Sequence, residues 1–425
     1  MRTDPWENVY CCSTQRAFGT IVPSTVPSVV AAWIADAFGP GEAVTVRVAA
    51  VRRVRDAVAE ADRFVLDEFG TAGSGESSSV MPDEFDSVDI EDFTRVLVGY
   101  FHGNLHVDST TVLVVLSADL VGLIYSHRFG DETVFWPKSE RLNLGLSGCD
   151  VDLAPELVDR LPLTRRRIVE GGLRLSIGHP RTSLGAVRRI VETSRDRVSL
   201  PATAESGRVL DTRGWWSTVR LEGASDRKLP SVYFYCALLA ALGRGAHESH
   251  HVVADLRSYS RVLTGTGGNA FSHIPFRANW AVDDPAEVAG RLARRIRSGE
   301  ALIRRSIGEL ISRPSRPASE SSEMVVGAGD APSAPLTTSM SCFRLAPDRQ
   351  YAWRNGDPTY SGGMQTLAPN ALSINIRATR NVSDCTFSHA GGHVDMESVS
   401  NAVKIAAGLV GTDVTMETGF YFGEQ

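Results

Sequence analysis

The most confining stretch of this 425-residue chain is Thr111 to Tyr125. Thr111-Val112-Leu113-Val114-Val115-Leu116 is a β-branched and aliphatic run, Ser117-Ala118-Asp119 supplies a turn, and Leu120 to Tyr125 is a second apolar run. Two such runs around a three-residue turn predict a β-hairpin. No polar residue alternates into either run, so both faces of both strands must be covered by other layers of the domain. The span is too short to cross a bilayer, and Ser117 and Asp119 interrupt it. A chain built around this hairpin is a mixed α/β or α+β protein.

Helix and strand signals alternate unevenly on either side. Ser28 to Phe38 reads as a helix, Ala43 to Ala49 as a strand and Val51 to Phe64 as a second helix. Gly70 to Asp92 is Gly/Ser-rich and then acidic, which predicts a solvated loop. Pro162 to Gly207 is a connecting region containing Arg165-Arg166-Arg167 and a helical stretch, Leu184 to Glu192. A strand at Trp216 to Leu221 follows, then a helix at Ser231 to Leu242 stopped by Gly243 and Gly245, then a β-like run from His251 to Leu256. Ala286 to Ile311 is the best amphipathic pattern, with Val288, Leu292, Ile296, Ile303, Ile307 and Leu310 on one face of a single helix. Arg313 to Thr338, with four prolines, reads as a long loop. Strands at Met340 to Leu345, Ala371 to Arg377 and Asp384 to His389 and a helix at Met396 to Leu409 close the chain.

The length fits about two domains of ordinary size. A net charge of −6 carries no general footprint for nucleic acid. Of the 44 lysines and arginines only Lys138, Lys228 and Lys404 are lysines, a bias expected of GC-rich coding. The N-terminus, Met1-Arg2-Thr3-Asp4-Pro5-Trp6-Glu7, shows no signal-peptide pattern, and no stretch predicts a membrane span. Cys11, Cys12, Cys149, Cys236, Cys342 and Cys385 form no CxxC pair and are too sparse for a disulfide scaffold, so the expectation is a cytoplasmic protein with reduced, buried thiols.

His247-Glu248-Ser249-His250-His251 satisfies HExxH, but zinc chemistry needs the two imidazoles one turn apart on a helix. Here a helix has just ended and a strand begins, so no metal is expected. His389 and His393 are also four apart, and Gly391-Gly392 between them predicts a turn. Phosphate-loop, nucleophile-elbow and dinucleotide-fold signatures are missing. What remains is Ser126-His127-Arg128-Phe129-Gly130-Asp131-Glu132, directly after the apolar hairpin. A strand end holds side chains rigidly, and a nearby carboxylate fixes the surroundings of an imidazole.

This segment resembles the HHxxxDG motif of nonribosomal-peptide condensation domains and the HxxxD motif of related CoA-dependent acyltransferases, members of the chloramphenicol acetyltransferase-like superfamily. Further segments follow in the family's order. His251 to Tyr259 is similar to a strand ending in Asp-Leu-Arg, and Gly268-Asn269 through Pro275 to a GN…P segment. Asp284-Pro285 and the helix after it, Thr338-Ser339-Met340-Ser341, and the closing strand–strand–helix resemble the later elements. The match is good from Val112 to Tyr125 through the motif and from Ser231 to Leu409, and poor before Thr110 and in Pro162 to Gly207. Ser126 replaces the first His of the condensation motif, Glu132 replaces Gly, Pro137 interrupts the helix expected after the motif, and Met340 stands where the family has Asn.

The resemblance implies two chloramphenicol-acetyltransferase-like α/β subdomains in a V with a central tunnel: 1–165 carrying the motif, a connecting region over 166–207, and 208–425. It implies an acyltransferase or stand-alone condensation enzyme of secondary metabolism. Such an enzyme transfers an acyl group from a CoA or phosphopantetheine thioester to a hydroxyl or amine, with an acyl or peptidyl carrier protein as a partner and no tightly bound cofactor. By the same resemblance His127 is the general base, Asp131 its structural support, Arg257 the ion-pair partner of Asp131, and Ser339 an oxyanion donor. The departures keep alternatives open: other base-assisted chemistry (cyclisation, dehydration or hydrolysis) or a non-catalytic carrier-binding module.

Overall fold

In the computed structural model, residues 9–38, 44–55, 62–72, 81–103, 109–148, 161–195, 214–223, 230–243, 248–311, 336–344, 360–364, 371–378, 382–390 and 394–422 are described. The hairpin lies inside a six-stranded sheet. Its strands are β1 (Tyr10–Arg16), β2 (Thr45–Arg55), β3 (Asp62–Ala72), β4 (Thr111–Leu116), β5 (Leu120–Ser126) and β10 (Tyr360–Met364), in the order β10-β1-β5-β4-β2-β3. β4 and β5 pair antiparallel from Val112 opposite Tyr125 to Leu116 opposite Val121, and every residue of both is buried.

The covering layers follow from the period-2 alternation of a strand. Val112, Val114, Leu116, Leu123 and Tyr125 share a core with Val30 and Trp33 of α1 (Val26–Ala37) and with Phe135, Leu142 and Leu146 of α3 (Glu132–Leu146). The other face of β5 lies under α2 (Ile90–Gly103), where a Cβ on Gly122 would come within 2.8 Å of Leu97 and 3.0 Å of Phe93. Each buried Val, Leu or Phe here contributes roughly 1.5–3 kcal/mol.

The second compact unit is a seven-stranded sheet of β6 (Gly214–Gly223), β7 (Ser249–Asp255), β8 (Phe271–Phe276), β9 (Thr337–Arg344), β11 (Ala371–Ala378), β12 (Val382–Ala390) and β13 (Thr412–Phe422), ordered β13-β6-β12-β11-β9-β7-β8. On one face Val219, Phe387, Ile374, Met340, Val252 and Ile274 build a core with α6 (Ser231–Ala241), α7 (Pro285–Arg297) and α9 (Met396–Val410). α4 (Arg165–Gly178) and α5 (Pro180–Arg195) pack against α8 (Glu300–Ile311) in this unit, and Ser306 Oγ donates to Ile168 O at 2.9 Å. β10 and the end of β13 from Thr418 group with the N-terminal unit, where His102 stacks on Phe422.

Several expectations are corrected. The described residues of Val51 to Phe64 are strand and not helix: β2 runs on to Arg55 and β3 starts at Asp62, and 56–61 lie outside the described residues. β-Branched residues and the cross-strand pairs Arg47–Glu68 and Arg52–Asp67 favour the ladder over the helical period. Ala286 to Ile311 is two helices, because Gly299 adopts φ +72°, which ends α7. The acidic stretch contains the start of α2, with Asp89 Oδ1 accepting from the amides of Glu91 and Asp92. Pro137 lies inside α3 without breaking it, since buried Val134, Phe135 and Trp136 offset the missing amide. Most of Arg313 to Thr338 lies outside the described residues, as does Cys149. Cys11, Cys12, Cys236 and Cys385 are buried free thiols and Cys342 is half-buried. No described helix is long and apolar enough to cross a membrane.

Burial pushes the imidazoles of His102, His250 and His273 down to about 4 and that of His251 to about 3. In the unfolded chain they titrate near 6.5, so between pH 6.5 and about 4 the unfolded state binds more protons. The stability that the neutral imidazoles contribute is complete above pH 6.5 and is lost as pH falls through that window. Thermal unfolding followed from pH 7.5 to 4.5 should show a midpoint falling by roughly 10 °C or more; a flat profile contradicts the burial of these rings. Gly122→Ala should cost about 1–3 kcal/mol in denaturant unfolding, because Leu97 and Phe93 must move to admit one methyl group.

Candidate functional site

The HxxxD segment begins where the β5 ladder ends. Ser126 is the last paired residue, opposite Tyr10, and the amide of His127 continues the pattern by donating to Val9 O at 2.7 Å. The chain then tightens into a 3-10 turn, His127–Phe129, capped by Ser126 Oγ, which accepts from the amide of Arg128 at 3.0 Å. Gly130 closes the turn at φ +111°, with its amide donating to His127 O at 3.0 Å. A Cβ there would meet Val134 at 2.8 Å, so glycine is required. Asp131 is the N-cap of α3, its Oδ1 accepting from the amide of Val134 at 3.3 Å. The spacing therefore has a backbone reason: His opens the turn, and Asp opens the helix that follows it.

The ground beneath this turn is aromatic. Tyr125 stacks on Phe135 with centroids 3.6 Å apart, Phe129 meets Phe38 edge-on at 5.3 Å, and Trp33 Nε1 donates to Lys138 O at 2.7 Å. His127 is 4% exposed and Asp131 7%. The carboxylate of Asp131 sits at the positive end of α3. Glu132 opens α3, and its side chain lies outside the described residues.

The Asp-Leu-Arg and Gly-Asn segments meet in the C-terminal unit. Asp255 ends β7, and its Oδ1 accepts from the amide and from Nη1 of Arg257, both at 3.0 Å. Arg257 reaches on with Nε to Thr266 O at 2.9 Å and Nη2 to Gly268 O at 2.7 Å, while Leu256 N donates to Ala270 O. Arg257 thus staples the loop whose turns Gly265 and Gly268 make at φ +77° and +73°. Asp255, two residues upstream, is a partner that sequence reasoning did not assign.

Ser339 lies in β9 between His251 of β7 and Ser373 of β11. Its neighbours Thr338 and Met340 take the other face. Thr338 Oγ1 bonds the Tyr235 hydroxyl at 2.6 Å and His250 Nδ1 at 2.9 Å, and Met340 is core. Met340 therefore does not stand in for a polar side chain beside Ser339; the described Asn on that face is Asn375, which accepts from Ser341 Oγ. The register carries this polar face across the sheet through Thr386 and Thr218 to a buried ion pair, Arg220 Nε to Asp384 Oδ1 at 2.8 Å. Sequence reasoning missed it, although Ser373-Ile374-Asn375-Ile376-Arg377 shows the alternation plainly.

Ser249, His250 and His251 are in β7, so the second histidine of the HExxH match, His251, stands on a strand and not on a helix. His247 and His393 lie outside the described residues. Among the described residues no three His, Cys, Asp or Glu side chains gather as metal ligands.

No protein-family model and no curated protein sequence matches the chain. Solved structures do. The starter condensation domain of rhizomide synthetase RzmA, a variant in complex with C8-CoA and Leu-SNAC, is 11% identical with a TM-score of 0.50 over 95% of this chain and 89% of that one. The first condensation domain of the calcium-dependent antibiotic synthetase is 14% identical, TM-score 0.49, covering 97% and 95%. SgcC5 from Streptomyces globisporus is 12% identical, TM-score 0.46, covering 96% and 94%. Two α/β units with these strand orders, matched to the rhizomide starter domain along almost their full length, give this chain the condensation-domain fold.

Proposed function

We propose that this protein is an acyltransferase of the condensation type. It moves an acyl group from a CoA or carrier-protein phosphopantetheine thioester to a hydroxyl or amine, forming an ester or amide in secondary metabolism in the cytoplasm. The observation that carries this reading is the placement of His127 and Asp131 on one glycine-closed turn at the end of a buried strand, in a chain with this fold. His127 takes the proton of the acceptor as its oxygen or nitrogen attacks the thioester carbonyl. The new C–O or C–N bond forms, the C–S bond breaks, and the leaving thiolate receives the proton from His127. Ser339 donates a hydrogen bond to the tetrahedral oxyanion, and Asp131, paired with Arg257, supports the turn. The 4% exposure of His127 favours a second reading, a carrier-binding module that keeps the fold without turnover.

Thiol release from acyl-CoA and acyl-carrier donors, with a panel of alcohols and amines, separates the two readings. His127→Ala should lose about 10²–10⁴-fold in rate with its thermal midpoint close to the parent's. A variant with full activity removes the base assignment, and a parent without turnover on any donor favours the binding module. A double-mutant cycle of Asp131→Asn and Arg257→Gln in denaturant unfolding should return a coupling of about 1–3 kcal/mol; additive effects contradict the pairing.

A further inference from the structure

The two carboxylates of α8, Glu300 and Glu309, face four guanidiniums, those of Arg189, Arg295, Arg304 and Arg305. Glu300, wholly buried in its first turn, takes Arg295 through both oxygens, at 2.6 and 3.0 Å, and Arg189 at 2.8 Å. Arg304, one turn on, stands 3.9 Å from the same carboxylate, beyond hydrogen-bond reach. Its Nε and Nη2 are buried and have no hydrogen-bond partner among the described residues. Three guanidiniums therefore share one carboxylate, while Arg305 has its own acid, Glu309, at 3.1 Å. Buried guanidinium N–H groups left unpaired are costly, and that cost is removed by an anion that accepts from them.

α8 packs against β8, and His251 of β7 and His273 of β8 lie within the field of its arginines. Val253 pairs with His273, so His251 and His273 share the sheet face that also carries Ser339. Their rings are 6.1 Å apart and almost perpendicular. His251 is 1% exposed; its Nε2 meets Ser249 Oγ at 2.9 Å, and its Nδ1 is buried without a partner among the described residues. Arg304 and Arg305 both disfavour the charged form of these rings, Arg304 at His251 and Arg305 at His273. With Ser249 donating to Nε2, His251 presents a neutral Nδ1–H donor. Two guanidinium donors and an imidazole donor, with surplus positive charge, suit a multiply charged tetrahedral oxyanion better than a single carboxylate.

We propose that Arg304, with His251 and His273, forms a phosphate subsite in the C-terminal unit, taking either a phosphate ester or free phosphate. The ester expected from the proposed function, on which that part rests, is the phosphate of a pantetheine thioester donor.

The test is calorimetric titration of the full chain with 4′-phosphopantetheine, pantetheine and inorganic phosphate, without turnover. Phosphopantetheine should bind at least tenfold tighter than pantetheine. Arg304→Gln should abolish that difference and leave pantetheine binding as it was, and folding should survive because Glu300 keeps Arg295 and Arg189. His251→Gln gives a second variant that should weaken the phosphate-bearing ligand alone, and inorganic phosphate should compete in the parent. Inorganic phosphate that binds through Arg304 with no preference for phosphopantetheine supports the subsite and assigns it to free phosphate. No preference together with no phosphate binding, or a preference unchanged in both variants, overturns the proposal. A chain that binds phosphate through Arg304 yet transfers no acyl group leaves the subsite standing and removes only the proposed function.

Discussion

β5 is held on all four sides, by β1 and β4 along its edges and by two helical layers on its faces, and the candidate site inherits its position from that confinement. Gly122 allows α2 to lie against one face, while alternate residues of the hairpin fill the core beneath α1 and α3. With every residue of β4 and β5 buried, a shift of one residue in register would exchange two packed faces at once. The point at which the chain leaves the sheet is therefore fixed, and His127 is the first residue beyond it.

The same logic has a different outcome in the C-terminal unit. One face of its sheet is an ordinary apolar core, and the other carries Ser, Thr, Asn, His and the Arg220–Asp384 pair, most of them buried. Polar groups removed from water must be bonded to one another or to something else. Much of this face is bonded internally: Ser341 to Asn375, and Arg220 to Asp384. At the edge of β7 and β8, His251 Nδ1, and in α8 the Nε and Nη2 of Arg304, are buried without a partner among the described residues.

The hairpin, its turn and the following His and Asp were legible because they depend on local signals: apolar runs, a short turn, and a spacing set by one turn and one helix cap. The closing strands and α9 were legible for the same reason. Val51 to Phe64 was not, because its helical period is overridden by pairing between β2 and β3. The break at Gly299 was hidden in a continuous amphipathic pattern, since an arginine-rich helix face looks the same on either side of a left-handed residue. β1, β10 and β13 escaped notice because their place depends on partners distant in sequence, as with Cys11 opposite Met364. The polar sheet face was written in the alternation of β11 but needed the register to be seen as continuous with β12 and β6. The bonds of Arg257 to Asp255, Thr266 and Gly268 join residues of one loop and became visible only in three dimensions.

The central claim is that the imidazole at the exit of β5 is the base of an acyl transfer. The most direct measurement is the pH dependence of kcat/KM for transfer from a thioester donor, in the parent and in His127→Gln. A base must be unprotonated to act, so the parent should show an ascending limb belonging to a single group, and the variant should lose both that limb and most of the rate. The same limb at an unchanged rate in His127→Gln would contradict the account.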